Sequence, residues 1–410
     1  MPELPPEIIQ IILELVYASQ ITPDWSSFQG FSLVCKVWSW YAQALLYSHV
    51  RLETEKQILA FWEATDPTRK CGQRLGDAVR VLRISLHEDE TADSLSINKI
   101  RQSDLPKTLR RCPRLYELRV TLDGVRSFTD ETMMYLQHTP QIVALRIIDS
   151  VPDGEAARQL LYVWPSVKHL VLRSTSINTG WAGGMFSSFY ATFTEFLLYI
   201  DDYETPPPLQ LFELRWEAKN PPTTPLLLWI LGKSKESLRI LHLYRLPRED
   251  WGNQLAIQYS PSIFSLRLPK PDTKLIESAA LLREIYILHD VDITRDLLKA
   301  LPRKLEHLAF AINTQDSLAL KTIMENQLSP SRLPSLRVVT CYKQFAEGWR
   351  DFHTLAAGCQ AVGIELVCLE EGILVGNVSH PRRVPSILSN RGSLRPRTFY
   401  LPKHSPDAKH

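Results

Sequence analysis

No run of about 18 apolar residues occurs in this 410-residue chain, so no membrane-spanning helix is expected. Charge of one sign is also lacking. The 47 Lys and Arg against 45 Asp and Glu leave a formal net charge of +2, which gives no global attraction to nucleic acid. Glu3 and Glu7 stand where a secretory leader would carry basic residues, so no such leader is expected. The six cysteines (Cys35, Cys71, Cys112, Cys341, Cys359, Cys368) form no CxxC pair, and none has a His at zinc-ligand spacing. They read as reduced thiols of a cytosolic or nuclear protein. The sequon Asn377-Val378-Ser379 has little meaning without a leader. The chain lacks a GxxxxGK[ST] phosphate loop, a GxGxxG after a strand, a GxSxG and an HExxH. Its His residues are dispersed. Glu88, Asp89 and Glu90 with Asp93, and the pair Asp201-Asp202, read as solvated loops. No catalytic set, cofactor or metal site is expected, and the chain reads as a non-enzyme.

What is present is ample apolar material. Hydrophobic residues make up 44 % and charged ones 22 %, the balance of a folded chain. The length allows two or three domains, or one elongated array. The stretch LPPEIIQIILELV, residues 4–16, is helical in pattern, with Pro5 and Pro6 suited to a first turn. Its polar side chains, Glu3, Glu7, Gln10 and Glu14, form one narrow stripe. Ile8, Ile9, Ile11, Ile12, Leu13, Leu15 and Val16 fill the rest, about twice the apolar arc that a surface helix needs. Residues 19–30 read as a loop. Residues 31–50 repeat Leu33, Val34, Val37, Trp38, Tyr41, Leu45 and Leu46 at helical spacing, with a break expected near Lys36–Ser39. Three helices in fifty residues cannot cover this much apolar surface. Either a partner covers it or the rest of the chain does.

The residues themselves resemble the F-box motif. Leu4, Pro5, Glu7, Ile8, Ile9, Ile12, Leu13, Val34, Cys35 and Trp38 match it in register, and Ala42 to Tyr47 continue in the same style. The connection 17–30 is longer than is usual in that family. The resemblance implies a module that binds the Skp-type adaptor of SCF ubiquitin ligases and, through it, a cullin–RING ligase. It implies adaptor contacts from Leu4, Pro5, Ile8, Ile9, Ile12, Leu13, Val34, Cys35 and Trp38. Cys35 then reads as a small buried hydrophobe.

A six-residue pattern, apolar-x-x-apolar-x-apolar, returns along the remainder. It runs VRVLRI (79–84), LYELRV (115–120), IVALRI (142–147), VKHLVL (167–172), FTEFLL (193–198) and LFELRW (211–216). LRILHL (238–243), IFSLRL (263–268), LREIYI (282–287), LEHLAF (305–310), LRVVTC (336–341) and a weaker GIELVC (363–368) follow. The spacing is typically about 25 residues, that of a strand with a returning segment. Pro often precedes the strand, as in CPRL (112–115) and WPSV (164–167), where it ends one element and launches an extended one. Short helices are expected at 129–138 and 294–301. The pattern resembles the leucine-rich repeats found behind many F-boxes, although Asn313 alone matches the consensus Asn. The predicted fold class is therefore α/β: a small three-helix F-box followed by a leucine-rich-repeat-like solenoid with a parallel sheet. A doubly wound α/β domain is the alternative.

The expected division is 1–52 helical domain, 53–76 linker helix, 77–371 repeat domain and 372–410 basic tail, the last expected to be disordered. The proline-rich stretches within 203–225 read as long connections, or as extended loops on the repeat edge where a substrate could dock. His169, His242 and His307 fall at related strand positions and are expected on the solvated face. The implied function is a non-catalytic substrate receptor of an SCF-type ligase, its repeats holding a target protein. The alternative is a scaffold in a complex without ubiquitination.

Overall fold

The computed structural model describes residues 4–19, 25–87, 99–149, 155–174, 207–218, 221–247, 258–287, 295–310, 332–342 and 352–369. The copy at 193–198, the acidic stretches at 88–93 and 201–202, Asn313 and the basic residues 372–410 lie outside these. The chain forms two compact units, 1–145 with 377–410, and 146–376. The division falls inside the stretch 77–371.

The first unit begins with α1 (Pro6–Ser19), α2 (Trp25–Ser32) and α3 (Lys36–Leu46). The Pro5 carbonyl accepts from the N–H groups of Ile8 and Ile9 and closes the first turn of α1. Helix α2 corrects the loop reading of 19–30 over residues 25–30. Its Phe28 and Phe31, three residues apart, turn into the helical core, and that burial outweighs the loop-forming composition. The break falls at 33–35, just ahead of the expected site. Next come β1 (His49–Leu52), α4 (Glu55–Ala64) and α5 (Lys70–Ala78). A capping box starts α4: the Gln57 N–H donates to Thr54 Oγ1, and the Thr54 N–H donates to Gln57 Oε1, each at 3.3 Å. The unit continues through β2 (Val81–His87), α6 (Asp104–Arg110), β3 (Glu117–Asp123) and α7 (Asp130–Gln137), with Thr129 capping α7. Strand β4 (Ala144–Asp149) lies at the division.

The second unit holds α8 (Glu155–Val163), β5 (His169–Ser174), β6 (Glu213–Glu217), α9 (Thr224–Leu231), β7 (Ile240–Leu243) and β8 (Ser265–Leu268). It continues with α10 (Thr273–Ser278), β9 (Glu284–Ile287), α11 (Arg295–Ala300), β10 (His307–Phe310), β11 (Val338–Tyr342), α12 (Phe352–Ala361) and β12 (Glu365–Leu369).

In the first unit β1, β2 and β3 pair in parallel in chain order, and in the second β5 to β12 do the same. Every described copy of the six-residue pattern supplies a strand that starts at its third residue, from Val81 in 79–84 to Glu365 in 363–368. The fourth residue of every described copy but the last points to the core: Leu82, Leu118, Leu145, Leu170, Leu214, Leu241, Leu266, Ile285, Leu308 and Val339 are all buried, while Leu366 of the last copy is half-buried. Each such burial contributes about 1.5–3 kcal/mol. The first residue is also buried in all but the last copy, which opens with Gly363, so the chain turns inward before each strand begins. The second residue has a backbone role. In eight of the described copies its carbonyl accepts two N–H bonds from the next copy, as Lys168 does from Phe212 and Glu213, and Arg283 from Glu306 and His307. In those copies both lone pairs of that oxygen are used.

Candidate functional site

Helix α1 presents two apolar arcs side by side. Ile9 and Leu13 enter a core with Phe28, Ala42 and Leu45, and Val16 and Tyr17 pack against it. At about 100° per residue, Ile8, Ile11, Ile12 and Leu15 form the adjacent arc, and all four are exposed, Leu15 to 64 %. Glu7, Gln10 and Glu14 take what is left, with the Gln10 side chain donating to Glu14 at 3.1 Å. A helix with this sequence has more apolar surface than three short helices can enclose, so one arc stays on the outside.

The break between α2 and α3 presents the other matched residues. Leu33 is 85 % exposed and Val34 61 %. Cys35 is the N-cap residue of α3, with an extended backbone and an exposed thiol. Trp38 is half-buried, its ring 5.6 Å from that of Phe31. Of the nine residues named from sequence, Leu4, Pro5, Ile8, Ile12, Val34 and Cys35 are exposed. Ile9 and Leu13 are instead locked in the helices' own core, where a partner finds almost no surface of theirs to touch. Ile11, Leu15, Leu33, Val37 and Trp40 are further exposed apolar side chains that the motif match did not single out. Their spacing on α1 is the signal that could have found Ile11 and Leu15.

A polar contact fixes α1 against β1. The Tyr17 hydroxyl and His49 Nδ1 lie 2.6 Å apart, with Ser48 Oγ at 3.0 Å from the same ring nitrogen. Burial, and then the nearby Arg119 guanidinium, hold His49 down at about 4, while burial raises Tyr17. His49 is therefore neutral at pH 7, and Nδ1 can accept a hydrogen bond from the Tyr17 hydroxyl.

In the second unit the face opposite the leucines is polar. Glu213 accepts from Arg215 and lies 2.9 Å from His169 Nδ1. Tyr286 Oη, His307 and Thr340 Oγ1 run as a chain at 3.1 and 2.7 Å. His242 is buried, against the expectation of a solvated position. Its neighbours in that row are Arg215 and Arg267, and the Tyr286 ring stands 6.2 Å away; these large side chains cover the smaller imidazole. Burial lowers His242 well below the usual histidine range and holds His307 at about 4.

These histidines predict an acid transition. A histidine at about 4 when folded and near 6.5 when unfolded adds stability that is full above pH 6.5 and is lost as pH falls toward 4. The loss is at most roughly 3 kcal/mol for each of His49 and His307. The melting temperature, followed from pH 7.5 to 4.5, should fall across that window, and His307→Asn should flatten the fall. A profile flat to pH 4.5 would count against neutral burial.

Among the described residues, no group of three His, Cys, Asp or Glu could hold a metal ion, and no helix is long and apolar enough to cross a membrane. No known family model matches the chain, and no curated protein matches it.

Proposed function

We propose that this chain is a non-catalytic substrate receptor of an SCF-type ubiquitin ligase. The three helices are its F-box, and the strand array is a leucine-rich-repeat-like solenoid that holds a target protein. Leu4, Pro5, Ile8, Ile12, Val34, Cys35 and Trp38 contact the Skp-type adaptor, joined by Ile11 and Leu15. The cullin–RING ligase then acts on target lysines brought to high effective concentration. The chain itself supplies position, and works in the cytoplasm or nucleus.

The supporting observation is the outward arc of α1. Four large aliphatic side chains stay exposed beside an arc that already serves the core. Surfaces of that kind mark partner sites. The F-box resemblance names the partner, because the same helix carries the Leu-Pro-x-Glu start and is followed by Val34-Cys35 at an exposed break.

Co-expression with a Skp-type adaptor tests this reading. A stable complex is expected by size-exclusion chromatography, and Ile12→Asp should abolish it. No complex with the wild-type chain, or a complex indifferent to Ile12→Asp, would overturn it.

A further inference from the structure

Three arginines stand in line on the first strands. Arg51 of β1 is the register partner of Arg83 of β2, and Arg83 is the partner of Arg119 of β3. Neighbouring parallel strands lie about 4.8 Å apart, so the three side chains leave the sheet as a close row. The alternation of burial along β2 and β3 puts Leu82, Ile84, Leu118 and Val120 on the core side and Arg83 and Arg119 on the other.

The two outer arginines are compensated. Arg51 pairs with Glu53 at 2.5 Å, and Arg119 with Glu117 at 2.9 Å. Arg83, between them, has no hydrogen-bond or ion-pair partner among the described residues, and its Nε is buried without one. Among the described residues one positive charge is left in surplus, flanked by two like charges. A buried guanidinium N–H left unmade is costly, and the neighbours on both sides raise that cost. One step along, Ser85 and Thr121 are register partners on the same face and add hydroxyl groups beside the row.

We infer that the row Arg51–Arg83–Arg119 binds a carboxylate side chain of an acidic peptide, with Arg83 as the bidentate anchor. The guanidinium fork matches a carboxylate in shape. A single negative charge balances the row, whereas a phosphate dianion exceeds it. The inference rests on the reading of the strands as the target-binding part, and it gives the target a chemistry: an acidic surface segment.

Fluorescence anisotropy of a labelled hexaglutamate peptide against the full chain tests this. Binding is expected at low salt and should weaken as salt rises. Arg83→Gln should weaken it about tenfold, the loss of one charge-assisted contact, and Arg83→Lys should fall between. The melting temperature of Arg83→Gln should stay the same or rise, since a like-charge row is relieved, so lost binding cannot be put down to unfolding. Acetate should compete at least as well as inorganic phosphate. Binding unchanged in Arg83→Gln, whether through the basic residues after 380 or elsewhere, would overturn the inference. Displacement by phosphate at concentrations where acetate does nothing would overturn the carboxylate assignment. Adaptor capture should be the same in Arg83→Gln as in the wild type, so failure here and failure of the adaptor reading are separate results.

Discussion

Gly76→Ala should destabilise the first unit by at least ~2 kcal/mol, although alanine is the better helix former. A Cβ at Gly76 would lie 2.2 Å from the Arg111 carbonyl oxygen. One turn earlier on the same face of α5, a Cβ at Gly72 would lie 2.2 Å from the Asp66 carbonyl oxygen and 2.7 Å from its nitrogen. Both obstacles are backbone, so no rotamer change relieves them. Two glycines four residues apart let α5 lie directly on the turn after α4 and on the end of α6. The sign reverses at Gly30 of α2, where a Cβ meets nothing within 4 Å. Gly30→Ala should stabilise by about 0.5–1 kcal/mol through the lost freedom of the unfolded chain. Thermal melts followed by circular dichroism should put Gly76→Ala roughly 5 °C or more below wild type and Gly30→Ala above it. Equal effects at the two positions would sink the close-packing account.

How far the sequence reveals this fold depends on which force sets each element. The six-residue pattern marked every described strand except β1, because burial of the fourth residue is a strong, short-range requirement that composition cannot hide. Strand β1 escaped because Val50 and Leu52 alternate over too few residues, inside a stretch whose apolar spacing continues that of α3. Helix α2 was masked by Ser26, Ser27, Gly30 and Ser32, poor helix formers that packing of Phe28 overrides. In helix α5, Gly76 serves a contact 35 residues away in sequence, at Arg111, which no local rule reads. The buried His242 shows the same limit from the polar side. Its place opposite the leucines was legible, but its cover by Arg215, Arg267 and Tyr286 comes from neighbouring strands.

The α1 site was half legible for a related reason. Periodicity gives an apolar arc of about 200°, and this is correct. It does not say which part the unit uses itself. That follows from where α2 and α3 pack, and it divides adjacent residues: Ile12 outside, Leu13 inside.

The same carboxylate placed on these two neighbours should therefore give opposite phenotypes. Leu13→Asp puts a charge with no partner among Ile9, Phe28, Ala42 and Leu45, and should cost on the order of 4 kcal/mol or more, enough to melt the three-helix unit. Ile12→Asp places it on an exposed face, and should change stability by no more than about 0.5 kcal/mol. For adaptor capture the second variant is the informative one. An aliphatic anchor at the centre of an interface is worth about 2 kcal/mol or more, so Ile12→Asp should weaken the complex at least roughly thirtyfold while the circular dichroism spectrum stays that of the wild type. Leu13→Asp should lose both helix signal and capture. If Ile12→Asp instead melts the unit as Leu13→Asp does, the outward arc serves the chain's own packing, and the adaptor surface must be sought at Leu33, Val34 and Trp40.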